Sequence, residues 1–384
     1  MAVSKSQKRQ RIPLQSPFAH IFEEQQRDSE FYEERVRRAL ETLPPVKFAF
    51  AYGSGAIPQI GSYKEATMLD LILVLEDSFE WHRENMKKNP SHYAFIPKLV
   101  GPKLTSSVQT CKVGVPVLYN TLVPFQGGLM KYGCVGFSDL LEDLQSWKYL
   151  FLAGRLHKPV RMFVPSKSLN CDPRTGETFD VDLAEMNQAL MDNLEAALSA
   201  AIILLPVEFT EASLFQKISQ LSYYGDIRFT FSAENPHKIS NIVSANLLSF
   251  RNLYNEALSS LLGDHLLRVH CSSGNGRHVY VKQDNHSSSL LGLLQRIPSH
   301  FVKRCYCSMS TSSQDICPDK LYVEEARKTI SQFGTRTCQD ILKKTFKNTV
   351  RNSSIGQAFK GLFSAGPLRS CVYLLKKWQK GIRF

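Results

Sequence analysis

Phe48-Ala-Phe-Ala-Tyr52-Gly53-Ser54-Gly55-Ala56, followed after a polar excursion by Met68-Leu69-Asp70-Leu-Ile-Leu-Val-Leu75-Glu76, decides how this chain folds. The apolar run from Val46 to Ala51 predicts a strand ending at Tyr52. Gly53 and Gly55 then let the backbone approach an anion closely, and the Ser54 hydroxyl adds a donor. Leu71 to Leu75 is apolar at every position, the pattern of a strand buried on both faces, with Asp70 alone at its head. A loop and an acid so placed suit a metal-bound triphosphate. The loop has neither the Gly-Lys-Thr ending of a P-loop nor the third spaced glycine of a dinucleotide fold.

Strand, Gly-Ser loop and strand-opening aspartate follow the layout of the nucleotidyltransferase fold. The usual signature of that fold puts a second carboxylate two residues after the first, so that both face one magnesium. Here Ile72 holds that position. Glu76 shares the face of Asp70 by strand parity but lies roughly 20 Å away at about 3.3 Å per residue. A second acid has to come from a distant segment.

At 384 residues and 43% apolar content the chain can build two domains. Its nine cysteines are an odd set without paired finger spacing, which argues against zinc. The longest apolar run, Ala196 to Val207, is too short to cross a bilayer and reads as the buried end of a helix starting near Asp182. The first 22 residues hold Lys5, Lys8, Arg9 and Arg11 without an acid, compatible with a matrix presequence or a plain basic terminus.

The formal charge of +12 is concentrated at one end: residues 335–384 hold eleven Lys/Arg against a single acid, Asp340. That placement argues against a nucleic-acid footprint spread over a folded face. Ile355, Phe359, Leu362 and Phe363 recur at helical spacing, as do Leu368, Cys371, Val372 and Leu375 beyond Gly366-Pro367. With Lys/Arg between them, Ile355–Phe384 predicts an amphipathic helix lying in an anionic lipid interface.

Elsewhere the pattern predicts a helix over 28–43, a helix from Trp81 stopped before Pro90, a strand from Val113 to Leu122, a helix from Asp139 to Leu152 and a strand ending at Val164. Past Pro206 it predicts helices over 215–221 and 241–262 and a hairpin over 265–283.

Tyr52-Gly53-Ser54-Gly55, Asp70, Trp81-His82, Asn89-Pro90-Ser91-His92-Tyr93, Tyr119-Asn120, Ala153-Gly154-Arg155-Leu156-His157-Lys158-Pro159, Ser222-Tyr223 with Gly225-Asp226-Ile227-Arg228, and Gln357 to Gly366 occur in that order. Together they resemble the mitochondrial phosphatidate cytidylyltransferase family, also called the translocator assembly and maintenance family, from about residue 36 to 380. Residues 271–320, rich in Ser and Cys, are least similar.

The resemblance implies an α+β fold with an N-terminal extension (1–35), a nucleotidyltransferase domain (36–205), a helical winged-helix-like domain (206–334) and a basic membrane-binding tail (335–384). It implies transfer of CMP from CTP to phosphatidic acid for cardiolipin synthesis, with Mg2+, on the matrix side of the mitochondrial inner membrane. Gly53, Ser54 and Gly55 are then expected around the β and γ phosphates, Tyr52 as a further binding residue, and Asp70 on the metal. Asp226 is the leading remote second acid, with Asp180 and Asp182 as alternatives. Lys158, Arg155 and Arg228 are expected at phosphate oxygens, and His82, Asn89, His92 and Tyr93 at the nucleotide. Ile72 keeps a competing class open, a non-enzymatic membrane adaptor in protein import built on a degenerate nucleotidyltransferase fold.

Overall fold

The computed structural model describes residues 19–57, 68–111, 114–164, 170–171, 178–179, 181–227, 237–264, 266–271, 279–283, 286–309 and 322–382. After helix α1 (Ala19–Thr42), strands β1 (Phe48–Tyr52) and β2 (Leu69–Leu75) pair antiparallel with Tyr52 opposite Asp70. The acid and the start of the glycine loop are therefore neighbours across one ladder. Helices α2 (Ser78–Lys88) and α3 (Phe95–Thr110) lead to β3 (Leu118–Phe125) and β4 (Gly128–Gly136). β4 runs parallel to β2 and places Lys131 opposite Asp70. Helix α4 (Phe137–Ser146), the single turn α5 (Ala153–Leu156) and β5 (Arg161–Phe163) complete a mixed five-stranded sheet of order β3-β4-β2-β1-β5.

Apolar side chains on both faces of β2 make it the centre of two cores. Ile72 and Val74 pack with Phe48, Phe50 and Val135 toward α4 and the helices beyond, while Leu69, Leu71, Leu73 and Leu75 pack toward Val36 and Ala39 of α1. Ile72 is fully buried. A carboxylate there would lose its hydration to an apolar core, which is why the usual second acid has no place on this strand.

The two-residue strands β6 (Asn170–Cys171) and β7 (Thr178–Phe179) precede α6 (Val181–Leu204), whose Ala196–Leu204 end is buried on every side. Then come β8 (Glu208–Thr210), α7 (Glu211–Leu221), α8 (Lys238–Ala245), α9 (Leu247–Gly263), β9 (Leu267–Cys271) and β10 (Val279–Gln283). β9 and β10 form the expected hairpin, and β8 adds to it in a three-stranded sheet. Helices α10 (Ser287–Arg296), α11 (Ser299–Cys307) and α12 (Val323–Gln332) lead to α13 (Gly334–Ile382).

α13 is partly built into the fold. Its first two thirds are a strut of the fold: Cys338, Leu342 and Phe346 are fully buried. Further along, Ser353 Oγ donates to Tyr149 O at 2.6 Å, and Gln357 Nε2 donates to the carbonyls of Val115 and Val117. The buried Lys360 ammonium donates to the carbonyls of Gln109, Cys111 and Val115 at 2.7 to 3.2 Å. Ile355, Phe359 and Leu362 remain uncovered at 36%, 65% and 51% exposure. The helix breaks at Gly366 (φ 70°), and the side chains after it lie outside the described residues. Ile355, Phe359 and Leu362 share their helix with a buried face that polar anchors attach to the sheet. Among the described residues no helix is long and apolar enough to cross a membrane.

Candidate active site

The glycine loop is a tight turn in which Ala56 N and Ile57 N both donate to Gly53 O. Gly53 has φ +73°, and a Cβ there would sit 3.6 Å from Asp70 Oδ2, so the loop backbone lies directly against the acid. A Cβ on Gly55 would fall 2.1 Å from Met68 O, which leaves room for no side chain. Arg35 Nη1 donates to Gly55 O and Arg161 Nε to Ala56 O, pinning the loop from behind. The Asp70 side chain is 22% exposed, with Lys131 Nζ 3.9 Å from Oδ1. Lys131 in turn lies 4.3 Å over the Tyr119 ring.

Lys131 opens onto a cavity of about 640 Å3 between the sheet, the segment after α4, the turn after α7, and α13. Among the described residues that line it, the cations are Lys131, Arg155, Lys158 and Lys238, and the one acid is Asp226. The Arg155 guanidinium stacks 4.0 Å over the Tyr52 ring, which joins the cavity to the end of β1. Lys158 Nζ donates to Gly154 O and to Ser222 Oγ, linking the two halves of the chain. Desolvation lowers its pKa to about 8, with Arg155 and Lys238 adding to the effect and Tyr223 opposing it. Tyr119 Oη and Thr121 Oγ1 are buried at the cavity and make no hydrogen bond among the described residues. Four cations around one cavity suit a polyanionic guest.

Asp226 is buried at the end of a turn that begins at α7. Gly225 (φ +72°) fixes that turn against α13, since a Cβ would lie 2.6 Å from Lys347 O. Asp226 therefore reaches the cavity because the helical half folds over the sheet, a placement that sequence spacing does not encode. Asp182 pairs with Lys47, which also holds Glu76 at the far end of β2, so it is remote from Asp70. Asp180 and Arg228 lie outside the described residues. Among those residues no three His, Cys, Asp or Glu side chains cluster as a metal site.

His82, Asn89, His92 and Tyr93 do not line this cavity. They build a buried network beside Tyr132, whose neighbour Lys131 points to the opposite face of β4. His82 bridges Tyr93 Oη and Gln109 Oε1 at 2.8 Å each, and His92 Nδ1 meets Tyr132 Oη at 3.0 Å. Asn85 donates to both tyrosine hydroxyls, and Asn89 donates to Thr42 O and Asn85 Oδ1. Desolvation lowers both histidines to about 4, so both are neutral at physiological pH. Their polar density satisfies a buried interface between α2, α3 and the sheet.

Sequence reasoning missed Lys131 and Lys238. A strand over Gly128–Gly136 was not anticipated, yet a lone lysine within Gly-Leu-Met-Lys-Tyr-Gly-Cys-Val-Gly is a usable signal. Asp143 was also missed. Both of its carboxylate oxygens accept backbone N–H groups from Tyr149 through Ala153 at 2.8 to 3.1 Å, shaping the wall that presents Tyr149 and Phe151 to the cavity.

A glycine loop, an adjoining carboxylate and a cavity lined by four cations define a protein that handles a phosphorylated ligand. The model of the family described as phosphatidate cytidylyltransferase, mitochondrial, matches residues 36–380. The Schizosaccharomyces pombe protein of that name is 36% identical over 345 residues, covering 88% of this chain and 81% of the relative. The Xenopus laevis protein is 34% identical over 91% of this chain and 95% of the relative, and the human one 34% over 89% and 70%. The chain belongs to the mitochondrial phosphatidate cytidylyltransferase family.

Proposed function

We infer that this protein transfers CMP from CTP to phosphatidic acid, forming CDP-diacylglycerol and releasing pyrophosphate. The observation that carries this reading is the convergence of Lys131, Arg155, Lys158 and Lys238 on one cavity beside Asp70 and the glycine loop. A phosphatidate oxygen attacks the α-phosphorus of CTP, the new P–O bond forms, and the bond to the β-phosphate oxygen breaks. The attacking group is already an anion at neutral pH, so alignment and charge neutralisation matter more than a general base. Gly53–Gly55 would receive the β and γ phosphates through backbone N–H groups. Tyr119, Thr121, Arg155 and Lys158 would orient the reacting phosphates. Asp70 and Asp226 would hold Mg2+, which when bound neutralises phosphate charge and stabilises the leaving pyrophosphate. One or two carboxylates with substrate oxygens suffice for this ion, so the sparse acid set fits it.

The mixed sheet with its Gly-Ser loop supports reading residues 36–205 as a nucleotidyltransferase domain. A strand before α7, the helices α8 and α9 and the β9–β10 hairpin support a winged-helix-like unit within 206–334. The product supplies cardiolipin synthesis, and peripheral attachment to the matrix face of the inner membrane through Ile355–Phe384 fits a lipid substrate. The test is full-length protein with labelled CTP, Mg2+ and phosphatidate vesicles; lipid-linked cytidine is the expected product, and its absence where CTP binds overturns the reading.

Deleting residues 367–384, which carry five Lys/Arg and no acid, should leave turnover of monomeric short-chain phosphatidate unchanged. The same deletion should weaken sedimentation with anionic vesicles by on the order of a hundredfold or more, at about 1 kcal/mol per cation. Deletion from Ile355 also removes the Gln357 and Lys360 anchors and one cavity wall, and should abolish both.

Lys158 sets a pH limit. Its ammonium is charged below about 8 and neutral above, so kcat/KM, which reports the free enzyme, should fall as pH rises through about 8. Lys158→Arg keeps its charge at high pH and should lose that step. An identical step in the variant assigns the titration to substrate instead.

A further inference from the structure

Between Glu84 and Asp139 the chain carries six lysines and no acid, a second basic stretch far from the tail. α3 lies in the middle of it. Pro97, Thr105 and Gln109 seat the helix on the protein. The helix breaks at Gly101 (φ 77°); Phe95, 74% exposed, and Leu99, 71%, face outward before the break, and Leu104, 48%, after it. Phe95 and Leu99 are one turn apart on the same side, with exposed Lys98 beside them and exposed Lys103 next to Leu104. Single exposed apolar residues need no explanation, but a phenylalanine and a leucine on adjacent turns between lysines form an unpartnered face. Lys360 attaches the end of α3 to α13, whose Phe359 and Leu362 are also uncovered.

The charge pattern selects the occupant. A second copy meeting this face symmetrically would bring Lys98 and Lys103 against their own counterparts, with no acid on α3 to answer them. An anionic leaflet answers both features, since apolar side chains enter the acyl boundary while lysine ammoniums stay with the headgroup phosphates.

We propose that the outer face of α3 is a lipid-docking surface, with Phe95 and Leu99 inserted in an anionic leaflet and Lys98 and Lys103 on its phosphates. The inference rests on the reading of the substrate as a membrane lipid. Stable peripheral attachment needs two signals, and α3 would be the second beside the basic tail. It would also fix the orientation of the protein on the membrane, which one helix cannot do alone.

The test uses the full chain and vesicles of phosphatidylcholine and phosphatidylglycerol, without phosphatidate or CTP, so that it does not depend on turnover. Phe95→Ser/Leu99→Ser should lower apparent vesicle affinity by about tenfold or more. Lys98→Ser/Lys103→Ser should lower it and flatten its salt dependence. An unchanged thermal unfolding curve for each variant confirms that the fold is intact. Both variants sedimenting like the wild type would overturn the proposal. So would equal vesicle affinity combined with a dimer in the wild type that the apolar variant lacks, which would make the face a contact between copies. If vesicle affinity falls as expected while the wild type shows no CTP turnover, docking stands and the enzymatic reading fails.

Discussion

Asp70→Asn should leave a folded protein that still sediments with anionic vesicles but forms CDP-diacylglycerol on the order of a thousandfold more slowly. The substitution keeps the shape of a side chain at the open end of β2, where five buried residues from Leu71 to Leu75 carry the packing. It removes a carboxylate that lies against the glycine loop, 3.6 Å from where a Gly53 Cβ would be. Asparagine cannot neutralise a metal ion, and it leaves Lys131 without its acidic neighbour. Single-turnover rates with saturating CTP and Mg2+, beside thermal unfolding curves, check the result. Full activity in Asp70→Asn would show that the metal is held elsewhere.

The second large effect concerns a residue with no part in the chemistry. Asp143→Ala should destabilise the protein by about 4 kcal/mol or more, and turnover should fall with the folded fraction and the loss of the cavity wall. Asp143 is fully buried, and its Oδ1 accepts from Tyr149 and Leu150 while Oδ2 accepts from Phe151, Leu152 and Ala153. The same segment holds Trp147 and Leu150 at positive φ, 53° and 51°, a conformation that costs side-chain-bearing residues of order 1–3 kcal/mol each. The carboxylate offsets that strain, and without it several buried N–H groups have no acceptor. Urea unfolding followed by far-UV circular dichroism measures the loss. Asp143→Asn, which must turn an NH2 toward at least two of those donors, should fall between wild type and alanine. A variant as stable as wild type would mean that water replaces the carboxylate.

The positions of β1, β2 and the Gly53–Ile57 turn were legible because strand burial and glycine geometry are local properties. β2 reads as a continuous apolar run, and it is buried on both faces. The α6 helix and the β9–β10 hairpin were legible for the same reason. The helix read from Asp139 to Leu152 ends at Ser146 because Trp147 turns left-handed and the chain wraps around Asp143. No periodicity announces a carboxylate that gathers five amides. His82, His92 and Tyr93 lie in a buried network away from the cavity, and hydrogen-bonding density looks alike in a ligand pocket and in a satisfied interior. The face of a strand or helix that receives them decides between the two.

Local chain chemistry sufficed for the loop, the lone acid at the head of a buried strand, the absence of a partner acid at Ile72 and the basic bias of the last fifty residues. Those features depend on residues near each other along the backbone. The cavity does not: Lys131 comes from β4, Arg155 and Lys158 from the segment after α4, Asp226 from the turn after α7 and one wall from α13. Bringing such distant groups together requires the helical half to close over the sheet. That closure is driven by apolar burial, which has no direction of its own, and the positions of the charges follow from how the packed elements meet.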